Sequence, residues 1–195
     1  MEFISHRVNT IKALKETPET CGVELDLRDQ NGEIIISHDP FVIGEKFEDY
    51  LKHYHHGTMI LNIKSERIEH KVLELIKKYN IEQYFFLDSS FPMIYLLSNE
   101  GEQNIAIRFS EFEGLDTIRK MAGKVKWIWV DCFSYLPIDQ VIYNEIKALG
   151  YKICLVSPEL QGRDEAIEAY KTYSDAQGIV WDAICTKLYN FHRWK

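Results

Sequence analysis

Short runs rich in β-branched and aromatic residues alternate along the chain with longer segments whose apolar residues recur at intervals of three and four, the signature of repeated strand and helix units. Eight apolar runs fit strands, near residues 3–7, 21–28, 58–64, 83–88, 104–110, 126–132, 151–157 and 180–187, with helical patterns such as 66–79 and 137–149 between them. Gly150 stops one helix just before the run that starts at Tyr151, and Arg163-Asp164 opens the next helix after Gly162. Eight alternating units predict an α/β fold, a compact (β/α)8 TIM barrel. Such barrels usually take about 250 residues, so the 195 residues here leave only short loops. An open doubly wound sheet is the competing architecture, but no Gly-rich phosphate turn follows the first strand.

Asn31-Gly32 marks a tight turn, and the run from Glu33 to Ser37 returns from it, ending in His38-Asp39. This piece reads as a β-hairpin excursion after strand 2, not as a barrel strand. With a three-residue loop, Gln30 to Gly32, Glu24 lies opposite His38 and the two side chains share a face; a two-residue loop pairs Glu24 with Asp39 and turns His38 away. Ile34, Ile35 and Ile36 fill both faces, so apolar patterning leaves the register open. The expectation that His38 joins Glu24 rests on the three-residue loop.

With 46% hydrophobic and 27% charged residues, the chain fills one core and is too short for two ordinary domains, so a single domain over 1–195 is expected. Asp and Glu outnumber Lys and Arg by 30 to 23, a net charge of −7 that argues against wrapping nucleic acid or coating an anionic membrane by bulk electrostatics. No apolar run of about 18 residues exists, and Met1 to Ser5 has no leader pattern, so stable membrane insertion is not expected. Cys21, Cys132, Cys154 and Cys185 are scattered without a CxxC pair and read as small core residues in a reducing, cytoplasmic setting.

In a parallel barrel the chemistry sits at the carboxyl ends of the strands. The polar residues there are His6 and Arg7, Glu24 and Asp26, Asn62 and Lys64, and further on Asp88, Arg108 with Ser110, Asp131, Ser157 with Glu159, and Thr186 with Lys187. Any one of them is also a natural cap or solvated strand end. Glu24 and Asp26 are two apart, so both carboxylates project from one face, and a hard divalent cation is the simplest reason to bring them together. A solvent-facing edge, continued by Arg28, is the alternative.

His6-Arg7 closing the first strand, Glu24-x-Asp26 on the second, His38-Asp39 after a turn and a strand closing on Lys64 resemble the glycerophosphodiester phosphodiesterase family, within the superfamily of phosphatidylinositol-specific phospholipase C. The match in order and spacing covers His6 to Lys64, about the first third of the chain. The resemblance implies a phosphoric diester hydrolase acting on a glycerophosphodiester-like or polyol phosphodiester substrate. It further implies that Glu24, Asp26 and Asn62 bind Mg²⁺ or Ca²⁺, that His6 and His38 do acid and base work, and that Arg7 and Lys64 grip the phosphate. Asp88 and the C-terminal Trp194 join these as candidate substrate-binding residues, since in the related phospholipases aromatic residues near the mouth help bind substrate. Two imidazoles with pKa near neutral suit the two proton transfers that cleavage of a phosphodiester needs.

Three positions depart from the family pattern. Val8 stands where glycine usually follows His-Arg, with Asn9 and Thr10 immediately after it. Asn62 replaces a third carboxylate and brings no charge to a cation. Only residues 40–57 separate His38 from the third strand, too few for the insertion domain that many members carry. Two other readings remain open: a barrel that binds a phosphodiester as a regulatory module with weakened catalysis, and an isomerase or aldolase using Lys64 or Lys187. His53, His55 and His56 fall at the opposite end of a barrel and read as an exposed helix end. Trp127, Trp129 and Tyr135 read as core and rim packing. The segment from Tyr189 to Lys195 is either a flap over the mouth or a seal elsewhere.

Overall fold

The computed structural model covers residues 1–195 and contains ten strands alternating with helices. It divides into two compact units, one from Ser5 to Leu97 and one from Ser98 to Lys195 together with Met1–Ile4. The first strand, β1 (Glu2–Ser5), ends where Arg7 takes a left-handed φ of 58°. That bend leaves His6 and Arg7 in the turn beyond the strand.

The Ser5–Leu97 unit carries α1 (Ile11–Glu16), β2 (Gly22–Gln30), β3 (Glu33–Ile36), β4 (Glu45–Lys46), α2 (Phe47–Leu51), β5 (Met59–Ile63), α3 (Glu69–Lys78), β6 (Tyr84–Leu87) and most of α4 (Phe91–Asn99). Its strand order is β4-β3-β2-β5-β6; the β2–β5 and β5–β6 pairs are parallel, whereas β3 and β4 run antiparallel. Val23, Leu25, Leu27, Met59, Leu61 and Phe85 are fully buried, as expected of parallel strands covered on both faces. Helix α3 buries Val72 and Ile76, four apart on one stripe, and ends on Lys77 and Lys78, which suit the negative end of its dipole. It begins later than the pattern from residue 66 suggests because Arg67 adopts a left-handed φ of 67°.

The hairpin register differs from the one that aligned His38 with Glu24. Gln30 pairs with Glu33 and Leu27 with Ile36, leaving a two-residue loop of Asn31 and Gly32. Both loop residues are left-handed (φ 51° and 81°), as the tight hairpin turn that matches strand twist requires. The ladder continues to Ser37, whose N–H donates to the Asp26 carbonyl at 2.9 Å, and the chain then turns away as the Ser37 hydroxyl bonds the Asp39 carbonyl. His38 is therefore placed by a turn and not by cross-strand pairing.

The other unit carries β7 (Ala106–Phe109), α5 (Leu115–Met121), β8 (Trp127–Val130), α6 (Gln140–Ala148), β9 (Lys152–Val156), α7 (Ile167–Ala176) and β10 (Ala183–Thr186). These strands lie in the order β1-β10-β9-β8-β7, with parallel pairing from β7 through β10. Asp139 caps α6 through its carboxylate on the Ile142 N–H, and Gly150 (φ 87°) stops it. All four cysteines are buried. No helix is long and apolar enough to cross a membrane.

Candidate active site

The residues singled out at the first three strand ends gather within the Ser5–Leu97 unit. Asp26 pairs in register with Asn62 across β2 and β5, so their side chains share a face with that of Glu24 two residues earlier. The carboxylates of Glu24 and Asp26 are both almost completely buried. Glu24 is held from two sides, Oε1 accepting from Asn62 Nδ2 at 2.8 Å and Oε2 from the Arg7 backbone N–H at 2.7 Å. His6 Nε2 stands 3.7 Å from the same Oε2. Asp26 Oδ2 accepts from Asn9 Nδ2 at 2.8 Å, and Arg7 Nε lies 3.7 Å away.

Burial first, and then the negative charge of Asp26, push Glu24 up to about 7, against the pull of the Asn62 and Arg7 hydrogen bonds and of Lys64. Two like charges crowded into a dry site call for a positive partner. Asp26 Oδ1 has no hydrogen bond, only the Lys64 ammonium at 3.7 Å, and the buried Asn62 Oδ1 has no partner. No three His, Cys, Asp or Glu side chains gather as a ligand set; the third oxygen is an amide. Three hard oxygen donors, two of them anionic, nevertheless fit a cation such as Mg²⁺ or Ca²⁺ in chemistry and charge.

Basic groups border the acids. Lys64 bonds Asp88 through Nζ at 2.9 Å, so its ammonium sits between two carboxylates, an arrangement suited to a fixed cation and unsuited to a free amine nucleophile. Asp88 itself is held left-handed (φ 60°) at the end of β6. Left-handed backbone at non-glycine residues costs about 1–2 kcal/mol each and concentrates at functional sites. Arg7 and Asp88 are two such positions at strand ends.

His38 is half-exposed, its Nδ1 2.8 Å from Asp39 Oδ1, and the hydrogen bond from this imidazole holds the Asp39 carboxyl below its usual range. Its carbonyl oxygen is taken by Arg28 through Nε (3.2 Å) and Nη2 (2.9 Å), while Arg28 Nη1 bonds the Lys64 carbonyl at 2.8 Å. One guanidinium thus ties the turn that carries His38 to the strand end that carries Lys64. Sequence reasoning met Arg28 only as the continuation of an alternative, solvent-facing edge and gave it no role in the site. It also gave Asn9 no role, although Asn9 grips Asp26 twice, its Oδ1 accepting the Asp26 N–H at 3.0 Å.

The rim residues of the other unit are engaged in closing their own loops. Asp131 accepts from Arg108, from Trp129 Nε1 (3.3 Å) and from Gln161 (2.7 Å), and Glu159 accepts from Ser157, Thr186 and the Lys187 N–H (3.0 Å). Trp194, the candidate from the C-terminal segment, is buried, and its indole N–H donates to Ser157 Oγ at 2.8 Å, which ties that segment to the end of β9. Of the histidine cluster, His55 and His56 line a cavity of about 680 Å³ at the amino ends of β5 and β6, away from the carboxyl ends, as expected. His56 there is not simply exposed, since Nε2 contacts the Thr17 carbonyl at 2.9 Å.

No protein-family model and no curated protein sequence matches the chain. Solved structures do. The glycerophosphodiester phosphodiesterase from Agrobacterium tumefaciens str. C58 superposes with a TM-score of 0.67 at 19% identity, over 95% of this chain and 96% of that one. The chain has the fold of the glycerophosphodiester phosphodiesterases. A glycerophosphoryl diester phosphodiesterase from Parabacteroides distasonis ATCC 8503 agrees, with a TM-score of 0.62 at 13% identity, over 94% and 81% of the two chains. The fold class is thereby the expected α/β one, similar to the (β/α)8 barrels of those phosphodiesterases, with the β3–β4 excursion after its second strand.

Proposed function

We propose that this protein is a phosphodiesterase that hydrolyses a glycerophosphodiester-like or polyol phosphodiester substrate, with a divalent cation at Glu24, Asp26 and Asn62. The observation that carries the reading is the pair of buried carboxylates with uncommitted oxygens at Asp26 and Asn62, bordered by His6, Arg7 and Lys64 within one unit. The likeness to two phosphodiesterases supports it. The cation, Mg²⁺ or Ca²⁺, supplies Lewis-acid stabilisation of charge on the phosphoryl oxygens. Arg7 and Lys64 bind and orient the phosphate, whose single negative charge their two positive charges complement. Asp88 fixes the Lys64 ammonium through its 2.9 Å bond.

His6 and His38 divide the proton traffic, one imidazole removing the proton of the attacking group and the other protonating the leaving alkoxide. Asp39, 2.8 Å from His38 Nδ1, orients the ring and leaves Nε2 as the nitrogen that can face the leaving alkoxide, which suits His38 to the acid role. His6, beside Glu24 Oε2, suits the base role. A second reading, a barrel that binds a phosphodiester without turning it over, draws on Asn62, whose amide brings no charge and already occupies Glu24 Oε1.

A screen of bis(p-nitrophenyl) phosphate and glycerophosphodiesters against Mg²⁺, Ca²⁺ and chelator decides between them. Turnover that needs the cation and falls about 10²- to 10⁴-fold in His6→Ala and His38→Ala is expected. No turnover with either cation, with the diester still bound, would assign the protein to the binding class, and losses below about fivefold in both variants would remove the two imidazoles from the proton transfers.

A further inference from the structure

In the unit that holds β7 to β10, the strands β7, β8 and β9 are each followed by an α-helix, whereas β10 is followed by the short 3₁₀-helix Leu188–Arg193. A 3₁₀-helix is wound more tightly than an α-helix, so it covers less of the sheet beside it. Arg193 straps this segment to the start of α7, with Nε and Nη2 on the Glu168 carboxylate (2.6 and 2.7 Å) and Nη1 on Asp164 (2.8 Å). Beside the other end of α7 a cavity of about 230 Å³ opens against β10, walled by Ile179, Trp181, Ile184 and Trp194, with the exposed Met1 and Val180 at its mouth. The walls offer no free polar group. Trp181 Nε1 donates to Ser174 Oγ (3.2 Å), the Ser174 hydroxyl donates to the Tyr170 carbonyl (2.8 Å), and Trp194 Nε1 is taken by Ser157 Oγ. The rim does offer them. Lys171 and Asp175 line the same cavity one helical turn apart on α7, and neither side chain has a hydrogen bond or an ion pair. Lysine ahead of the acid is the weaker order for a pair four residues apart, and about 6 Å of helical rise separates the two. A ligand that carries both charges can bridge that gap.

We propose that this cavity binds a free α-amino acid with an apolar side chain, its carboxylate on Lys171, its ammonium on Asp175 and its side chain against the two tryptophans. The cavity of about 230 Å³ lies below the range of about 300–1,000 Å³ that takes drug-sized ligands, which suits a molecule of amino-acid size. The mixed rim selects the zwitterion. A fatty acid would set its carboxylate against Asp175, and a simple amine would set its ammonium against Lys171. Asp175 lies in the last turn of α7, where the helix dipole also favours the positive end of the ligand. None of these residues belongs to the candidate active site, so binding here is independent of phosphodiester hydrolysis.

The test titrates the full chain with L-leucine, L-methionine and L-phenylalanine, followed by tryptophan fluorescence and by calorimetry. At least one of them is expected to bind with a Kd of about 1 mM or tighter. Glycine, which lacks the apolar body, and N-acetyl-leucine and leucinamide, which each lack one charge, should bind about tenfold or more weakly. Lys171→Gln and Asp175→Asn should each weaken the amino acid by a similar factor, since each removes one charged partner. The analogues probe the same contacts on the unaltered protein, so a variant that folds poorly leaves the test intact. No binding of any of the three up to about 10 mM, glycine bound as tightly as leucine, N-acetyl-leucine and leucinamide bound as tightly as leucine, or decanoate bound more tightly than every amino acid would overturn the proposal.

Discussion

Arg28→Ala removes the one side chain that ties the His38 turn to the Lys64 strand end. Its guanidinium makes three hydrogen bonds to two backbone carbonyls, two to His38 and one to Lys64. Hydrogen bonds from a charged donor contribute about 1.5–3 kcal/mol each, and the site is partly exposed, so water can reach the freed carbonyls and the lower figure applies. At that rate for each of the two carbonyls, the alanine variant loses about 3 kcal/mol of stability. Arg28→Lys, whose ammonium can serve one carbonyl at a time, recovers about half of it. Urea unfolding reads this as a lower midpoint with an unchanged m value. Turnover on a soluble diester should also drop about tenfold or more in both variants, because a displaced His38 or Lys64 spoils alignment even in a folded protein. A loss below about 0.5 kcal/mol together with unchanged turnover would refute the tether.

The same geometry sets three further expectations. Asn62→Asp places a third carboxylate against Glu24; the cation-free protein should unfold at lower urea, and calorimetric titration should show Mg²⁺ or Ca²⁺ bound more tightly, about tenfold or more. Desolvation raises the Glu111 carboxyl, but hydrogen bonds from its own backbone, the Ser134 backbone and hydroxyl and the Tyr135 N–H outweigh this and hold it down to about 2. That stabilisation is present above the unfolded value near 4.5 and is lost as pH falls through about 2, so Glu111→Gln should flatten the acid limb of a urea-midpoint profile between those values. Trp194→Phe deletes the bond to Ser157 Oγ and should cost about 1–2 kcal/mol of stability while leaving kcat and KM on a soluble diester unchanged, as a structural seal requires.

Periodicity made the strands legible because parallel strands buried on both faces read as unbroken apolar runs such as Trp127–Val130 and Phe85–Leu87. Glu24 and Asp26 were legible as a pair because strand geometry alone puts residues two apart on one face. The hairpin register was not read correctly. Three consecutive isoleucines match either alignment, and the deciding signal was the Asn31-Gly32 dipeptide, whose two left-handed conformations close a two-residue loop. Arg28 was missed for a different reason: alternation says which way a side chain leaves its strand, not which distant carbonyls end within its reach. Asn9 was seen only as a departure in a motif, since its two bonds to Asp26 cross between chain segments 17 residues apart. The place of Trp194 was not legible, because an aromatic near a terminus suits a flap and a plug equally well until its indole N–H partner is known.

The central claim is that Glu24, Asp26 and Asn62, with His6 and His38, form a cation-dependent phosphodiester centre. Phosphorus NMR of a glycerophosphodiester incubated with wild type and with Glu24→Gln tests it most directly. The diester resonance should be replaced by a product resonance only when Mg²⁺ or Ca²⁺ is present, with the rate in the glutamine variant reduced about 100-fold or more. An unchanged diester resonance with both cations, or equal rates in the two proteins, would contradict it.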